Sequence, residues 1–430
     1  MRVEDPTQQA ASTKPYGSAA YSWYVVTILA LVYACHAMDR GMPTILVEPI
    51  RHEFGLSDSE LGLFTGLGFG VAFAVAVLPM GYLSDRVNRR NFLAVILLLW
   101  SICTALGGVV RSYGQLVLTR VGVGAAESGA APVTLPMISD IFPQSKRAFA
   151  MGIFYMGPPL GGFLASTVGG YVAAEHGWRT AFFIAGVPGI ILALLMLTTV
   201  REPKRGGSEV VPIDEHAPRL REVFGFLMHT PALLCLILGA AMIALVSITF
   251  GAWTGSFFIR IHGLDLKQVG LIMGLGGGLC SLVGPPISGW VSDRLAQRGP
   301  AWPLYVVVIT SVIGAAGGMA MLFGPLLWLS VAGYVIADLT RSMFPPALFS
   351  VLMDETPPRM RGTVMSSLQL TTNLIGFGLG PVFVGFLSDL YGGETALRYA
   401  LANALLVYVA VVVLILAGAH MLFGRKAPTA

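Results

Sequence analysis

Asp39 and Arg40 are adjacent in an otherwise apolar stretch, Arg120 and Glu127 lie seven residues apart in another, and Asp338 and Arg341 three apart in a third. If those stretches lie in lipid, each charge costs at least about 2.5–3.5 kcal/mol on insertion scales and calls for a partner or a water-filled cavity. The residue types suit two chemistries. Desolvation raises the proton affinity of a carboxylate and a nearby arginine lowers it, so an acid that alternately gains and loses an arginine captures and releases a proton. Arginine keeps its own proton, which fixes the direction of that logic. The same cations can instead clamp a phosphate or carboxylate on a solute. The spacing predicts Asp39 and Glu127 as the protonatable pair, with Arg40 and Arg120 as exchangeable partners; a permanent ion pair joining two helices is the alternative. Asp338 and Arg341 share a helical face and read as a local neutralised pair, with Arg341 also a candidate for binding a solute anion. His36, three residues before Asp39, reads as a core histidine or as a group that tunes the acid.

These side chains need elements to hold them. The chain has 430 residues, of which 55% are hydrophobic and only 12% charged, against roughly 25% charged in an average soluble protein. A soluble enzyme is excluded. Uncharged runs of about 20 residues recur along the whole length, each long enough to cross roughly 30 Å of hydrocarbon. They predict an all-α polytopic membrane protein of twelve helices, at 22–49, 59–84, 92–111, 114–142, 148–173, 179–200, 231–259, 266–293, 302–322, 326–353, 362–390 and 395–423. At 1.5 Å per residue, Asp39 and Arg40 lie roughly 24–26 Å along the first helix and Glu127 roughly 18 Å into the oppositely running fourth. They can meet at one depth. Small residues at 122, 124, 125, 126, 128 and 129 would let that part of the fourth helix approach a neighbour closely.

Lys and Arg orient the helices. With both termini in the cytoplasm, 18 of the 27 basic residues fall in cytoplasmic segments, as the positive-inside rule requires. The expected organisation is a cytoplasmic tail at 1–21, a six-helix bundle at 22–200, a charged Pro/Gly-bearing linker at 201–230, a second bundle at 231–423 and a short tail at 424–430. A short amphipathic piece is expected near Arg219 to Met228. The polar N-terminus lacks the pattern of a signal peptide. The four cysteines lie in apolar stretches without C-x-x-C spacing and read as packing residues, and no His pair has metal-ligand spacing. Neither metal, cofactor nor nucleic acid is expected.

The two halves resemble each other. A shift of 208 lays Leu61-Gly62-Leu63, Gly66-Leu67-Gly68 and Gly81-Tyr82-Leu83-Ser84-Asp85-Arg86 onto Val269-Gly270-Leu271, Gly274-Leu275-Gly276 and Gly289-Trp290-Val291-Ser292-Asp293-Arg294. A shift of 214 aligns Asp140 to Arg147 with Asp354 to Arg361, and Glu127 with Arg341. A duplicated unit of this kind can rock about a site between its halves, opening it to alternate sides. A duplicated scaffold or receptor without transport is the rival of another class. The glycine rows in the second and eighth helices follow no strand, so they read as packing surfaces and not as nucleotide loops. No P-loop lysine is present.

Gly81-x-Leu83-Ser84-Asp85-Arg86-x-Asn88-Arg89-Arg90, with its shortened copy at Gly289 to Arg294, resembles the signature loop of the major facilitator superfamily. Within it, Asp39-Arg40, Asn88 and Val200-Arg201-Glu202-Pro203 are similar to the Spinster branch of lipid and lysolipid transporters, although His36-Ala37-Met38 stands where that branch tends to have Asn-Tyr plus one residue. Bacterial organic-anion symporters also carry Asp-Arg in the first helix. The resemblance implies a gating role for Asp85, Arg86, Arg90, Asp140, Arg147, Asp293 and Arg294, with Asp354 and Arg361 as further participants. Gly157-Pro158-Pro159-Leu160-Gly161-Gly162 resembles the Gly-Pro motif of antiporters in the superfamily and implies a hinge at Gly157, Pro158, Gly161 and Gly162, though a tight crossing would need the same residues. The function expected is proton-coupled secondary transport of a lysolipid or other amphipathic anion by a monomer in the plasma membrane, with soluble organic anions as the alternative substrate. Tyr155, Phe250, Trp253 and Arg341 are candidates for the cavity wall from their mid-span depth.

Overall fold

A computed structural model describes residues 16–84, 86–204, 220–357 and 360–424. Among these residues the regular structure is helical throughout. Ten helical stretches are long and apolar enough to cross a bilayer, from Ala19–Ile45 to Ala396–Phe423. Two further passes, at 113–141 and 144–176, are each interrupted, the fourth after Glu127 and the fifth at Tyr155 and Met156. Twelve membrane passes result, and the structure accords with the expected helix count. A lipid-exposed backbone must bond within its own segment; the fourth span breaks at the buried Ser128, and the fifth breaks where Tyr155 and Met156 line a cavity.

Several boundaries differ from those expected. The first span ends at Ile45, two residues after Pro43, and Val47–Phe54 forms a separate short helix. That helix is held by Glu53, which accepts from the Trp178 indole at 2.7 Å and from the Arg179 guanidinium at 2.6 Å. Hydrogen bonding to Arg179 draws the Glu53 carboxyl below its ordinary pKa. A further short helix, Leu220–His229, precedes the seventh span. The expected tails and linker fall largely on 1–15, 205–219 and 425–430, outside the described residues.

Local sequence explains the ends. Asn88 caps the third span by accepting from the Asn91 amide at 2.8 Å, and the Glu202 carboxylate accepts from the Arg89 and Arg90 amides at 2.9 and 2.7 Å. A carboxylate is favoured there because the first amides of a helix are unpaired and carry the positive end of its dipole.

The internal repeat is physical. π-helical turns occur at Leu63–Leu67 and Ile272–Gly277, and the fourth and tenth spans break at matching places, after Glu127 and at Met343. The glycine rows beside the π-helical turns press one half against the other. A Cβ on Gly66 would stand 2.5 Å from the Phe377 carbonyl oxygen of the eleventh span, and Gly62 meets Pro381 there; in the mirror contact, Gly270 and Gly274 meet Ser166 and Thr167 of the fifth. Packing of this kind holds membrane helices together because lipid supplies no hydrophobic drive between them.

The two halves meet most closely at the end remote from the chain termini. Met42, Ile45, Phe64, Leu116 and Phe182 belong to the same apolar cluster as the core of the second half, whereas Val25, Leu29, Leu97, Trp100, Val133 and Met196 belong to a separate one within the first half.

Candidate functional site

Between the halves lies a cavity of about 810 Å³ whose wall runs from Arg40 and Thr44 in the first span past Tyr155 and Pro158 in the fifth to Pro286 in the eighth and Ser342 in the tenth. It occupies the middle of the molecule and the half nearer the termini. The remote end is shut.

Arg40 projects from the late first span, where its Nε donates to Glu127 Oε2 at 3.0 Å. Its guanidinium sits among three rings, 4.6 Å from Phe69, 5.1 Å from Phe73 and 5.2 Å from Phe377. Phe69 and Phe73 belong to the second span and Phe377 to the eleventh, so both halves hold this one cation. Rings bind a guanidinium through their negative faces, an attraction strengthened away from water. His36 Nε2 stands 3.3 Å from the same Glu127 oxygen. Glu127 is 1% exposed, and its second carboxylate oxygen has no partner among the described residues.

Asp39 is completely buried, and neither of its oxygens makes a hydrogen bond among the described residues. The Thr104 hydroxyl and Trp100 indole are close enough to act on it without bonding geometry. Arg120, 2% exposed, lies 5.6 Å from the Phe69 ring, with Nε and Nη1 unpartnered among the described residues. The structure groups Asp39, Arg40, Arg120 and Glu127, with one ion pair made and Asp39 without a hydrogen-bond partner among the described residues. The phenylalanine cage is new; three aromatic residues in helices rich in phenylalanine gave no distinguishing signal.

On the facing wall, Arg341 donates from Nη2 to Asp338 Oδ1 at 2.7 Å and lies 5.1 Å from the Phe250 ring. Of the candidates for the cavity wall, Tyr155 borders it. Phe250 and Trp253 do not: both are buried inside the second half, Phe250 beneath Arg341 and Trp253 donating its indole N–H to the Pro381 carbonyl at 3.0 Å. Depth along a helix does not fix its rotation, and these rings point into their own bundle. Arg341 is likewise withdrawn, and Asp338 reaches the cavity in its place.

Gly157 and Gly161 press on the backbone of the first span at Ala30 and Ala34, while Pro158 and Gly162 border the cavity. At the terminal end, Asp85 lies outside the described residues. Arg89 pairs with Asp140 at 2.6 Å, Arg90 donates to the carbonyls of Leu197 and Val200, and Arg147 to that of Ser139. Arg86 stacks on Tyr82 and Arg294 on Trp290, a repeat-related pair of contacts. Arg361 bonds the Thr356 carbonyl. Each of these contacts stays within one half. Asp293 and Asp354 make no hydrogen bond or ion pair among the described residues.

A network at the remote end joins the halves and escaped the sequence reading. Arg260 grips Asp58 through both terminal nitrogens, at 2.7 and 2.8 Å, and donates from Nε to Glu48 at 2.8 Å. Ser388 donates to Asp58 at 2.6 Å. Asp389 accepts from the Asp58 and Ser59 amides at 2.9 and 2.8 Å, capping the second span from the other half. Lys267 and Glu175 form a second bridge. Charges at helix ends are ordinary in any membrane protein, so nothing in the pattern distinguished these.

Residues 29–381 match the Major Facilitator Superfamily. The chain is 32% identical over 399 residues to an "MFS-type efflux pump" of Mycolicibacterium smegmatis, covering 92% of this chain and 90% of that one. It is 24% identical to the "Probable galactarate/D-glucarate transporter GudP" of Bacillus subtilis, over 92% of each. Among solved structures, a bacterial homologue of the human lysosomal transporter Spinster, inward-facing and unoccupied, superposes with a TM-score of 0.86 at 28% identity, covering 96% of this chain and 100% of that one.

Proposed function

The chain belongs to the major facilitator superfamily of membrane transporters, and from that premise we propose a proton-coupled carrier that moves a lysolipid or similar amphipathic anion by alternating access. The observation that carries this reading is the pairing of Arg40 with Glu127 beside a completely buried, unpartnered Asp39. A buried carboxylate without a partner is neutralised by a proton, because leaving it charged costs far more than its desolvated neutral form. In this conformation the proton rides on Asp39 while Arg40 neutralises Glu127. When Arg40 turns to Asp39, that proton is released and Glu127 becomes the acid that needs one. Arg120, buried in the same cluster, acts on both carboxylates through its charge and keeps the site from accumulating negative charge.

The solute enters the same exchange. With Asp39 protonated, two arginines face one ionised carboxylate, and the surplus positive charge is available to an anionic head group at Arg40 on the cavity wall. The rest of that wall is largely apolar, with Ile248, Met273, Leu282, Pro285 and Phe377 among its residues, which suits an acyl chain. The resemblance of the sequence motifs to the Spinster branch of lipid and lysolipid transporters supports a lipid. The sugar-acid relative supports a second reading, a small soluble organic anion. The protein acts in the plasma membrane with both termini in the cytoplasm, so the open half of the cavity faces inward. The residues at the terminal end, from Arg86 and Arg90 to Asp293 and Arg294, close that side in the opposite state, with bending near Gly157 to Gly162.

Purified protein in vesicles, with pH set on each side, tests both readings. Lysolipids should move faster under a proton gradient and short carboxylates should not compete. Glu127→Gln or Asp39→Asn should abolish the acceleration while the circular dichroism and melting temperature stay within the normal range. Full coupling in both variants would remove these acids from the mechanism.

A further inference from the structure

Glu127 is sealed. Its side chain is 0% exposed, so in this conformation a proton reaches or leaves it only through a group that touches it. Two charged or titratable side chains do so among the described residues, both at Oε2: Arg40 at 3.0 Å and His36 at 3.3 Å. Arg40 keeps its own proton. An imidazole differs, because it carries a hydrogen on one nitrogen and accepts on the other, and so can pass a proton through while staying neutral.

His36 is placed for that task. Tyr33, His36, Arg40 and Thr44 follow one another at helical spacing along the half-exposed face of the first span, with Cys35, Met38 and Asp39 on its buried side. Arg40 and Thr44 border the cavity, as does Tyr155 of the fifth span, whose ring stands 6.0 Å from that of Tyr33. His36 lies between Tyr33 and Arg40, one turn nearer the open end than the arginine, and 14% of its side chain is exposed. With Nε2 turned to Glu127, Nδ1 is left to water. The other groups around the ring offer no second route. Trp100 of the third span meets it edge-on at 6.3 Å, but an indole only donates. Tyr33 lies 5.5 Å from it, is held by a stack on Phe154 at 4.6 Å, and makes no hydrogen bond to Glu127 among the described residues.

We propose that His36 is a proton-transfer residue, carrying protons between the cavity and the buried Glu127. This rests on the proton-coupled reading above and adds the route by which the sealed acid is reached. While Arg40 holds Glu127, His36 is neutral with its hydrogen on Nε2, facing the carboxylate. When Arg40 turns to Asp39, Nε2–H gives its proton to Glu127 Oε2 and Nδ1 takes one from hydronium in the cavity. The ring is neutral before and after, one O–H bond has formed on the acid, and one proton has left the cavity. Release runs the same path backwards.

The test uses the full chain in vesicles with a trapped pH dye, following lysophosphatidylglycerol and protons together. Wild type should move both. His36→Gln keeps an N–H to meet Oε2 but cannot accept a proton at neutral pH, and should slow proton movement at least about tenfold, within the range that positioned acid–base groups contribute. His36→Ala should be as slow, and added imidazole should restore it several-fold in a concentration-dependent way, which a merely structural histidine would not show. Should the alanine variant melt early, the glutamine variant decides. Wild-type speed in His36→Gln, or a folded His36→Ala that imidazole does not restore, overturns the inference and leaves coupling through Asp39 and Glu127 standing. Lipid movement without protons in wild type, or movement of neither, overturns the coupled-transport reading and the inference with it.

Discussion

Arg40 is the residue on which the site turns. It touches an acid, three rings from both halves and the cavity at once. Its charge was legible, since an arginine beside an aspartate in an apolar run is costly enough to need an explanation. Its surroundings were not, because Phe69, Phe73 and Phe377 are ordinary lipid-soluble residues until the two halves are brought together. Arg40→Lys keeps the charge, but a compact ammonium cannot lie flat among rings and present a planar fork to a carboxylate. We expect at least a tenfold loss in kcat/KM, roughly 1.4 kcal/mol or more of transition-state interaction, with the melting temperature little changed. Transport at the wild-type rate would reduce the cage to packing.

At the scale of helices, period and repeat carried most of the fold. Apolar run length fixed the passes, and the glycine rows were recognisable as packing surfaces because no strand preceded them. What they pack against was out of reach of a single helix: Gly66 meets a carbonyl from a span more than 300 residues later. The breaks after Glu127 and at Met343 carried a signal that run length alone passes over: Pro132 and Pro345-Pro346 stand in the first turn beyond them, where a missing amide cannot bond back across the break. A backbone carbonyl cannot yield as a side chain can. Gly66→Ala should therefore cost the conformer described here roughly 1–3 kcal/mol, moving the population toward the state in which the second and eleventh spans part. Spin labels at the remote ends of those spans should report a longer distance. Gly114→Ala, where nothing lies within 4 Å, is the control and should be neutral or stabilising, as alanine favours helix over glycine. An unchanged distance in Gly66→Ala would mean the crossing is looser than its geometry.

For the whole molecule, the question is whether the remote end opens in every cycle or is permanently sealed, and the ionic network there decides it. Arg260, Asp58, Glu48, Ser388 and Asp389 are all hydrogen-bonded across the halves. A rocking carrier must break that set and remake it, whereas a scaffold would keep it intact. Removing Arg260 would leave the buried Asp58 and Glu48 with the longer Arg51 contacts, at 3.6 and 3.9 Å, a loss of up to about 3–5 kcal/mol by the behaviour of broken buried pairs, so Arg260→Ala should favour the state open at the remote end. A reversible lock separates the two cases more cleanly. Ser59 Oγ donates to Asp389 Oδ2 at 2.5 Å across the interface, which places thiols in Ser59→Cys with Asp389→Cys within reach of a short, reducible bifunctional thiol reagent that spans the gap an aspartate oxygen fills. The four native cysteines lie in other spans, none of them at this contact. If the halves rock, cross-linking should stop transport, reduction should restore it, and each single variant should be indifferent to either reagent. Unaltered flux with the cross-link complete would show that the remote end never needs to open, and would leave the cavity with a single entrance.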